Sequence, residues 1–280
     1  MATTTPLEIQ SLEEIEIKLL LEAIALRYGY DFREYAAAPL RRSISAGMSG
    51  EGVPTISAYQ DRLLHDATCM QRFLNTVGVT VSGMFREAET WRCLREDVVP
   101  LLRTYPSVRI WSAGCATGEE VYSLAIVLQE EGLLRRSSIY ATDMNEDGLA
   151  IARVGAGPTE LLRRYEPDYI QSGGRSTLST FFTTTGRVAR LQRELLHNVI
   201  WAEHNLVTDA SFNEFHLIVC TNVLIYFRPT LQQRAHRLFY ESLARSGFLA
   251  LGRRESTVFA PESSRYQPVR EGVSVFRKVR

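Results

Sequence analysis

Lysine is nearly absent from this sequence: Lys18 and Lys278 are the two lysines among 32 Lys and Arg residues. Positive charge is therefore carried almost wholly by arginine, and 32 Asp and Glu residues balance it to a formal net charge of zero. That balance excludes a whole-chain bias toward nucleic acid or an acidic membrane surface, although a sum of zero can hide local patches. No apolar run approaches the roughly 18 residues that would mark a membrane span. The Thr-rich start from Met1 to Gln10 has no basic stretch followed by an apolar one, so no signal peptide and no membrane insertion are expected. The four cysteines, Cys69, Cys93, Cys115 and Cys220, form no CxxC pair and have no His at metal-ligand spacing. Free, buried thiols, no metal centre and a cytoplasmic location follow. No internal repeat is present either.

What remains is 280 residues with 45% hydrophobic and 23% charged side chains, enough to bury a core in one large or two modest domains. The first third reads as helix. Leu12 to Tyr28 carries a broad apolar stripe stopped by Gly29, and helical patterns recur over Ser57–Leu64 and Ala67–Val77. A stretch from Arg33 to Met48 is also helical in pattern, but Pro39 should end or kink its first part. Gly47, Ser49, Gly50, Gly52 and Pro54 read as a loop. An all-helical domain over residues 1–78 is expected.

From residue 79 to 280 strands and helices alternate. Val108–Ala113, Ser138–Thr142, Val199–Ala202, His216–Cys220, Phe248–Leu251 and Val273–Val279 read as strands. Glu119–Glu130, Glu146–Val154 and Thr230–Ala244 read as helices. This rhythm predicts an α/β domain with a parallel, doubly wound sheet. Residues 155–198 break it, with a Gly173-Gly174 turn and a Thr-rich stretch, Leu178 to Thr185, that can form a strand; a small insert is expected.

Open α/β sheets bind ligands beyond the carboxyl ends of their strands. Those ends hold Gly114 to Gly118, Asp143, Asn205 and Asn222. A glycine turn lets a ligand approach backbone, and an acidic residue after the second strand can accept bonds from two ribose hydroxyls. The turn is Gly114-x-x-x-Gly118 followed by Glu119 and Glu120, not G-x-G-x-x-G. Two carboxylates suit a helix start but repel pyrophosphate. They tolerate a cationic ligand, which favours the sulfonium and amino groups of S-adenosylmethionine over a nicotinamide dinucleotide.

Trp111 to Ile126 (WSAGCATGEEVYSLAI), Ala141 to Asn145 (ATDMN), His204 to Leu206 (HNL) and Thr221 to Phe227 (TNVLIYF) resemble the CheR-type chemotaxis methyltransferases. So do YGYDFREY (Tyr28 to Tyr35) and MFRE (Met84 to Glu87), and the resemblance runs from about Leu12 to Lys278. It implies a Rossmann-like S-adenosylmethionine-dependent methyltransferase domain with an inserted β-subdomain, preceded by the helical domain. The implied activity is protein-glutamate O-methylation of a chemoreceptor or related sensory protein, with S-adenosylhomocysteine as product. Implied donor-site residues are Thr80, Ser82, Arg86, Gly114, Glu120, Asp143, Asn205, Leu206, Thr221 and Asn222. Arg86 and Tyr226 match residues around the reacting centre, and Arg41 and Arg42 match a basic helix that faces the acidic receptor segment.

Several positions depart from the family pattern, Ser82 among them, where Thr is usual. Thr221 stands where Arg is frequent, and Ser43 and Gly47 stand where the basic helix often has arginines. A second reading therefore stands beside the enzyme: a regulatory module of a sensory complex that binds the S-adenosyl ligand with weak or no methyl transfer. Methylation of a small molecule or nucleic acid finds little support, since an NPPY-type motif is absent and the helical domain is not broadly basic. Nothing in the sequence demands an oligomer, so a monomer is expected.

Overall fold

The computed structural model describes residues 11–78 and 83–279. The chain divides into two compact units, Met1–Val77 and Gly78–Arg280. In the first, α1 (Leu12–Tyr28) starts at a capping box between Ser11 and Glu14 and stops at Gly29, whose φ of 79° is left-handed. The helices α2 (Ala37–Glu51), α3 (Ile56–His65) and α4 (Ala67–Val77) complete it.

Two expectations for α2 are corrected. Pro39 neither ends nor kinks the helix: α2 begins at Ala37, so Pro39 lies in the first turn, where a backbone N–H has no intrahelical acceptor to lose. Gly47 to Gly50 are not loop, because the helix runs on to Glu51 and closes on the left-handed Gly52. Gly47 serves packing. A Cβ there would run into the Tyr59 ring of α3, so an arginine cannot replace it without displacing that fully buried tyrosine.

The second unit opens with α5 (Ala88–Cys93), a π-helical turn (Leu94–Val98) and α6 (Val99–Leu102), a helical stretch the strand–helix rhythm did not announce. Then come β1 (Val108–Ala113), α7 (Glu119–Glu130), β2 (Ser137–Asp143) and α8 (Glu146–Val154). The insert follows as β3 (Ala156–Pro158), α9 (Glu160–Gln171), β4 (Phe182–Thr185), β5 (Val188–Leu191) and α10 (Arg193–Leu196). The chain closes with β6 (Val199–Glu203), β7 (Phe215–Cys220), α11 (Pro229–Ser242), β8 (Leu243–Leu251), β9 (Tyr266–Pro268) and β10 (Val275–Lys278).

The main sheet has seven strands in the order β6-β2-β1-β7-β8-β10-β9. Its first five strands are mutually parallel; β10 pairs antiparallel with β8 and with β9, so the sheet is mostly rather than wholly parallel. Strand order reverses beside β1, with β2 on one side and β7 on the other, which opens a crevice at their carboxyl ends. Beneath it Trp111 is fully buried, and its indole N–H donates to Thr142 Oγ1 at 2.8 Å.

The insert carries a three-stranded antiparallel sheet, β3-β5-β4, and the helix α9. The Thr-rich stretch is strand only from Phe182; Leu178–Phe181 is a 3-10 turn. A buried ion-pair cluster fastens this insert to the core. Arg95 reaches Glu130 at 2.6 Å, the Tyr169 hydroxyl donates to Glu130 at 2.7 Å, and Arg175 reaches Glu131 at 2.6 Å.

Candidate active site

The turn after β1 is shaped by backbone. Gly114 and Cys115 donate to the Thr142 carbonyl at 2.8 and 3.0 Å, tying the ends of β1 and β2 together. Gly114 has a φ of 79°, and a Cβ on it would lie 2.7 Å from Val223 Cγ2, so only glycine lets the β1 and β7 turns approach this closely. Asp143, closing β2, accepts from Ala116 N on Oδ2 and from Asn145 N on Oδ1, both at 2.9 Å. Burial pushes its carboxyl up, against the pull of those backbone donors. Each oxygen retains acceptor capacity, the arrangement two ribose hydroxyls require.

Asn205 and Leu206 sit beside it, because His204 N donates to the Asp143 carbonyl at 3.1 Å. Asn205 Oδ1 accepts from Val207 N at 2.9 Å, which orients the side chain, and its amide N–H groups can donate to an adenine acceptor. Leu206 is buried and offers an apolar wall.

The two carboxylates that open α7 part company. Glu119 accepts from the Thr117 hydroxyl at 2.7 Å near the surface. Glu120 is buried, with Ser112 Oγ donating at 2.7 Å and Thr221 Oγ1 at 2.6 Å. Burial pushes its carboxyl up to about 7; the two hydroxyls restrain that rise, and the nearby Glu255 adds to it. Among the described residues it has no cationic partner. A buried carboxylate with hydroxyl donors and no counter-ion is a seat for a cationic ligand group. Thr221 bears on Glu120 through this hydroxyl.

The ends of β7 and β8 are joined differently, by side-chain carboxylates. Glu255, 4% exposed, accepts from Val223 N at 2.8 Å and Leu224 N at 2.7 Å on one oxygen, and from Asn222 N at 3.0 Å and Gly252 N at 2.7 Å on the other. It fixes the turn that leads to Tyr226, a half-buried residue in the 3-10 segment Leu224–Tyr226. Glu87 Oε1 accepts from Asn222 Nδ2 at 3.2 Å and Oε2 from Arg253 N at 2.6 Å, fastening the MFRE segment to both strand ends. The exposed Arg86 is thereby held at the same rim; its carbonyl accepts from Trp91 Nε1 at 3.0 Å. Phe85, Glu87, Ala116 and Asn222, all non-glycine, have φ between 47° and 61°. Each such residue costs of order 1–3 kcal/mol, and strain of this kind gathers at functional sites.

Gly114, Glu120, Asp143, Asn205, Leu206, Thr221, Asn222, Tyr226 and Arg86 thus converge at the carboxyl edge of the sheet. Thr80 and Ser82 lie outside the described residues. Arg41 and Arg42 belong to the helical unit: Arg41 sits 3.7 Å from both Glu13 and Glu14, whereas Arg42 is exposed and has no ion pair among the described residues. Glu87 and Glu255 were not singled out by the sequence. Extending the strand-end rule to Phe248–Leu251 reaches Gly252 to Glu255; nothing local reveals that the carboxylate turns back onto β7.

The glycine-shaped cradle, the paired acceptors of Asp143 and the uncompensated Glu120 fit S-adenosylmethionine. The comparisons with known proteins agree. Residues 80–272 match the family model described as "CheR methyltransferase, SAM binding domain", and residues 15–77 match "CheR methyltransferase, all-alpha domain". Cher3 of Pseudomonas putida, named as a candidate methyltransferase, is 46% identical over 265 residues, covering 95% of this chain and 97% of its own. The chemotaxis protein methyltransferase of Listeria monocytogenes is 30% identical over 226 residues, 80% of this chain and 83% of its own. That of Escherichia coli is 31% identical over 193 residues, 66% and 64% of the two chains. The chain belongs to the CheR methyltransferase family, an S-adenosylmethionine-dependent methyltransferase with an all-helical N-terminal domain.

Proposed function

We propose that this protein transfers the methyl group of S-adenosylmethionine to glutamate side-chain carboxylates of a chemoreceptor or related sensory protein. One observation carries the reading: the two carboxylates found at the acceptor rim among the described residues, Glu87 and Glu255, are both committed to hydrogen bonds. Glu87 uses both oxygens on Asn222 and Arg253, and Glu255 uses both on backbone N–H groups. An amine or hydroxyl acceptor needs its proton removed, whereas a glutamate is already ionised near neutral pH. When bound, S-adenosylmethionine supplies a methyl group activated by its sulfonium.

The residues then bind and orient. Asp143 holds the ribose, Asn205 and Leu206 flank the adenine, and Glu120, held by Thr221, faces the cationic end. Gly114 admits the ligand to the backbone, and Thr80 and Ser82 complete the methionine end. Asn222 shapes the turn between donor and acceptor. Arg86 orients the incoming carboxylate and Tyr226 closes the wall around it, so that one oxygen approaches in line with water excluded. Arg41 and Arg42 contact the acidic acceptor. The named function of the Listeria and Escherichia relatives supports a sensory receptor as partner.

The test is incubation with methyl-labelled S-adenosylmethionine and a receptor cytoplasmic fragment. The expected product is an alkali-labile ester that releases labelled methanol. Saturable S-adenosylhomocysteine binding without ester formation would instead favour the regulatory-module reading.

A further inference from the structure

The loop after β8 places two arginines, Arg253 and Arg254, at the reacting rim. Both are exposed, and neither guanidinium has an ion pair or hydrogen bond among the described residues. Their backbone is anything but free. Arg253 N donates to Glu87 Oε2, Gly252 N donates to Glu255 Oε2, and Glu255 N returns to the Gly252 carbonyl at 2.8 Å. A Cβ on Gly252 would come within 3.0 Å of Glu255 and Asn222, so this turn is packed tight against the β7 end. Two carboxylates therefore lock the main chain that aims these side chains outward, one residue away from where Glu87 locks Arg86.

The parallel strands β7 and β8 pair Cys220 with Leu251, so Arg253 stands level with Asn222. Arg228, past the same turn as Tyr226, is exposed as well and has no ion pair among the described residues. Against these cations stand Glu87 and Glu255, both already engaged. The chain as a whole is neutral, so this is a local patch and not a general affinity for polyanions. Arginine suits carboxylates, since its planar fork can grip two oxygens at once.

We propose that Arg253 and Arg254 bind acidic residues flanking the target glutamate, so that the enzyme selects glutamates lying in carboxylate-rich stretches of its protein acceptor. This rests on the glutamate reading above. It adds a source of specificity on the methyltransferase unit itself, beside Arg41 and Arg42 on the helical unit.

The probes are two synthetic peptides carrying one central glutamate, flanked by glutamates in one and by glutamines in the other. The full-length protein, saturated with labelled S-adenosylmethionine, should methylate the acidic peptide with a KM about tenfold lower. R253A/R254A should erase that preference, and R253E/R254E should reverse it. S-adenosylhomocysteine affinity by calorimetry should stay unchanged in both variants, which shows them folded. A preference that survives in R253A/R254A overturns the proposal while leaving glutamate methylation intact. If wild type methylates neither peptide, fluorescence anisotropy decides. Arginine-dependent binding of the acidic peptide keeps the surface and discards the transfer reading, and absence of binding overturns both. Tighter arginine-dependent binding to single-stranded DNA or to phosphatidylserine vesicles than to the acidic peptide overturns the assignment to a protein acceptor.

Discussion

The two halves of the crevice are built by different means. On the donor side, at the ends of β1, β2 and β6, the geometry comes largely from backbone: a glycine turn, carbonyl acceptors one strand over, and Asp143 held by N–H groups of its own turn and of the neighbouring β1 turn. On the acceptor side, at the ends of β7 and β8, it comes from Glu87 and Glu255, carboxylates reaching across from distant parts of the sequence. The donor is one fixed molecule, and a backbone cradle suits it. On the proposed reading the acceptor side must position an outside chain, and its turns are held by carboxylate side chains.

That division makes predictions that can break it. The largest effect should come from Glu255→Ala, which strips the acceptor from four close backbone donors. Buried N–H groups left without partners cost roughly 1–3 kcal/mol each, partly offset by relieving a buried carboxylate, so a net loss of about 3 kcal/mol is expected. Thermal unfolding should show it as a Tm lower by roughly 10 °C. Asp143→Ala should weaken S-adenosylhomocysteine binding about 100-fold in calorimetry, since two charge-assisted hydrogen bonds go. Equal loss of binding from the two substitutions would erase the distinction between the halves.

A smaller effect belongs to Glu120. Its carboxyl, buried beside Ser112, Thr221 and Glu255, is pushed up to about 7. S-adenosylmethionine affinity should therefore strengthen as pH rises from 6 to 8, by up to about tenfold, as the carboxylate ionises. Glu120→Gln should flatten that profile. Stability runs the other way. A carboxyl whose folded pKa lies above its ordinary value stabilises the fold below the ordinary value, and that contribution is lost as pH rises through about 7. Unliganded Glu120→Gln should thus be no less stable than wild type at pH 8, which denaturant titration checks.

The same division explains what could be read from sequence. β1 and α7 fall at the expected residues because an apolar run, a glycine turn and an acidic helix start are local signals. The place of Asp143 at the end of β2 was legible because the apolar run of the second strand stops there. Pro39 and Gly47 misled because both have positional meanings: one is harmless in a first helical turn, and the other makes room for Tyr59. β10 was expected as a strand, but its antiparallel direction was hidden because direction is set by connection and pairing, not by pattern; the short β9 gave no signal of its own. Glu87 sat inside a recognised motif, yet its partners Asn222 and Arg253 are 135 and 166 residues away. No periodicity reports such a contact.

The most direct measurement is made on Glu87→Gln. The substitution keeps size but turns one oxygen into a donor that cannot serve both Asn222 Nδ2 and Arg253 N. S-adenosylhomocysteine calorimetry and labelled methyl-ester formation should be run on the same preparation. Binding within about twofold of wild type, with ester formation reduced at least about tenfold, is the predicted result. Binding lost in proportion to esterification would contradict the separation of donor and acceptor sides, and with it the role given to the Glu87 clamp.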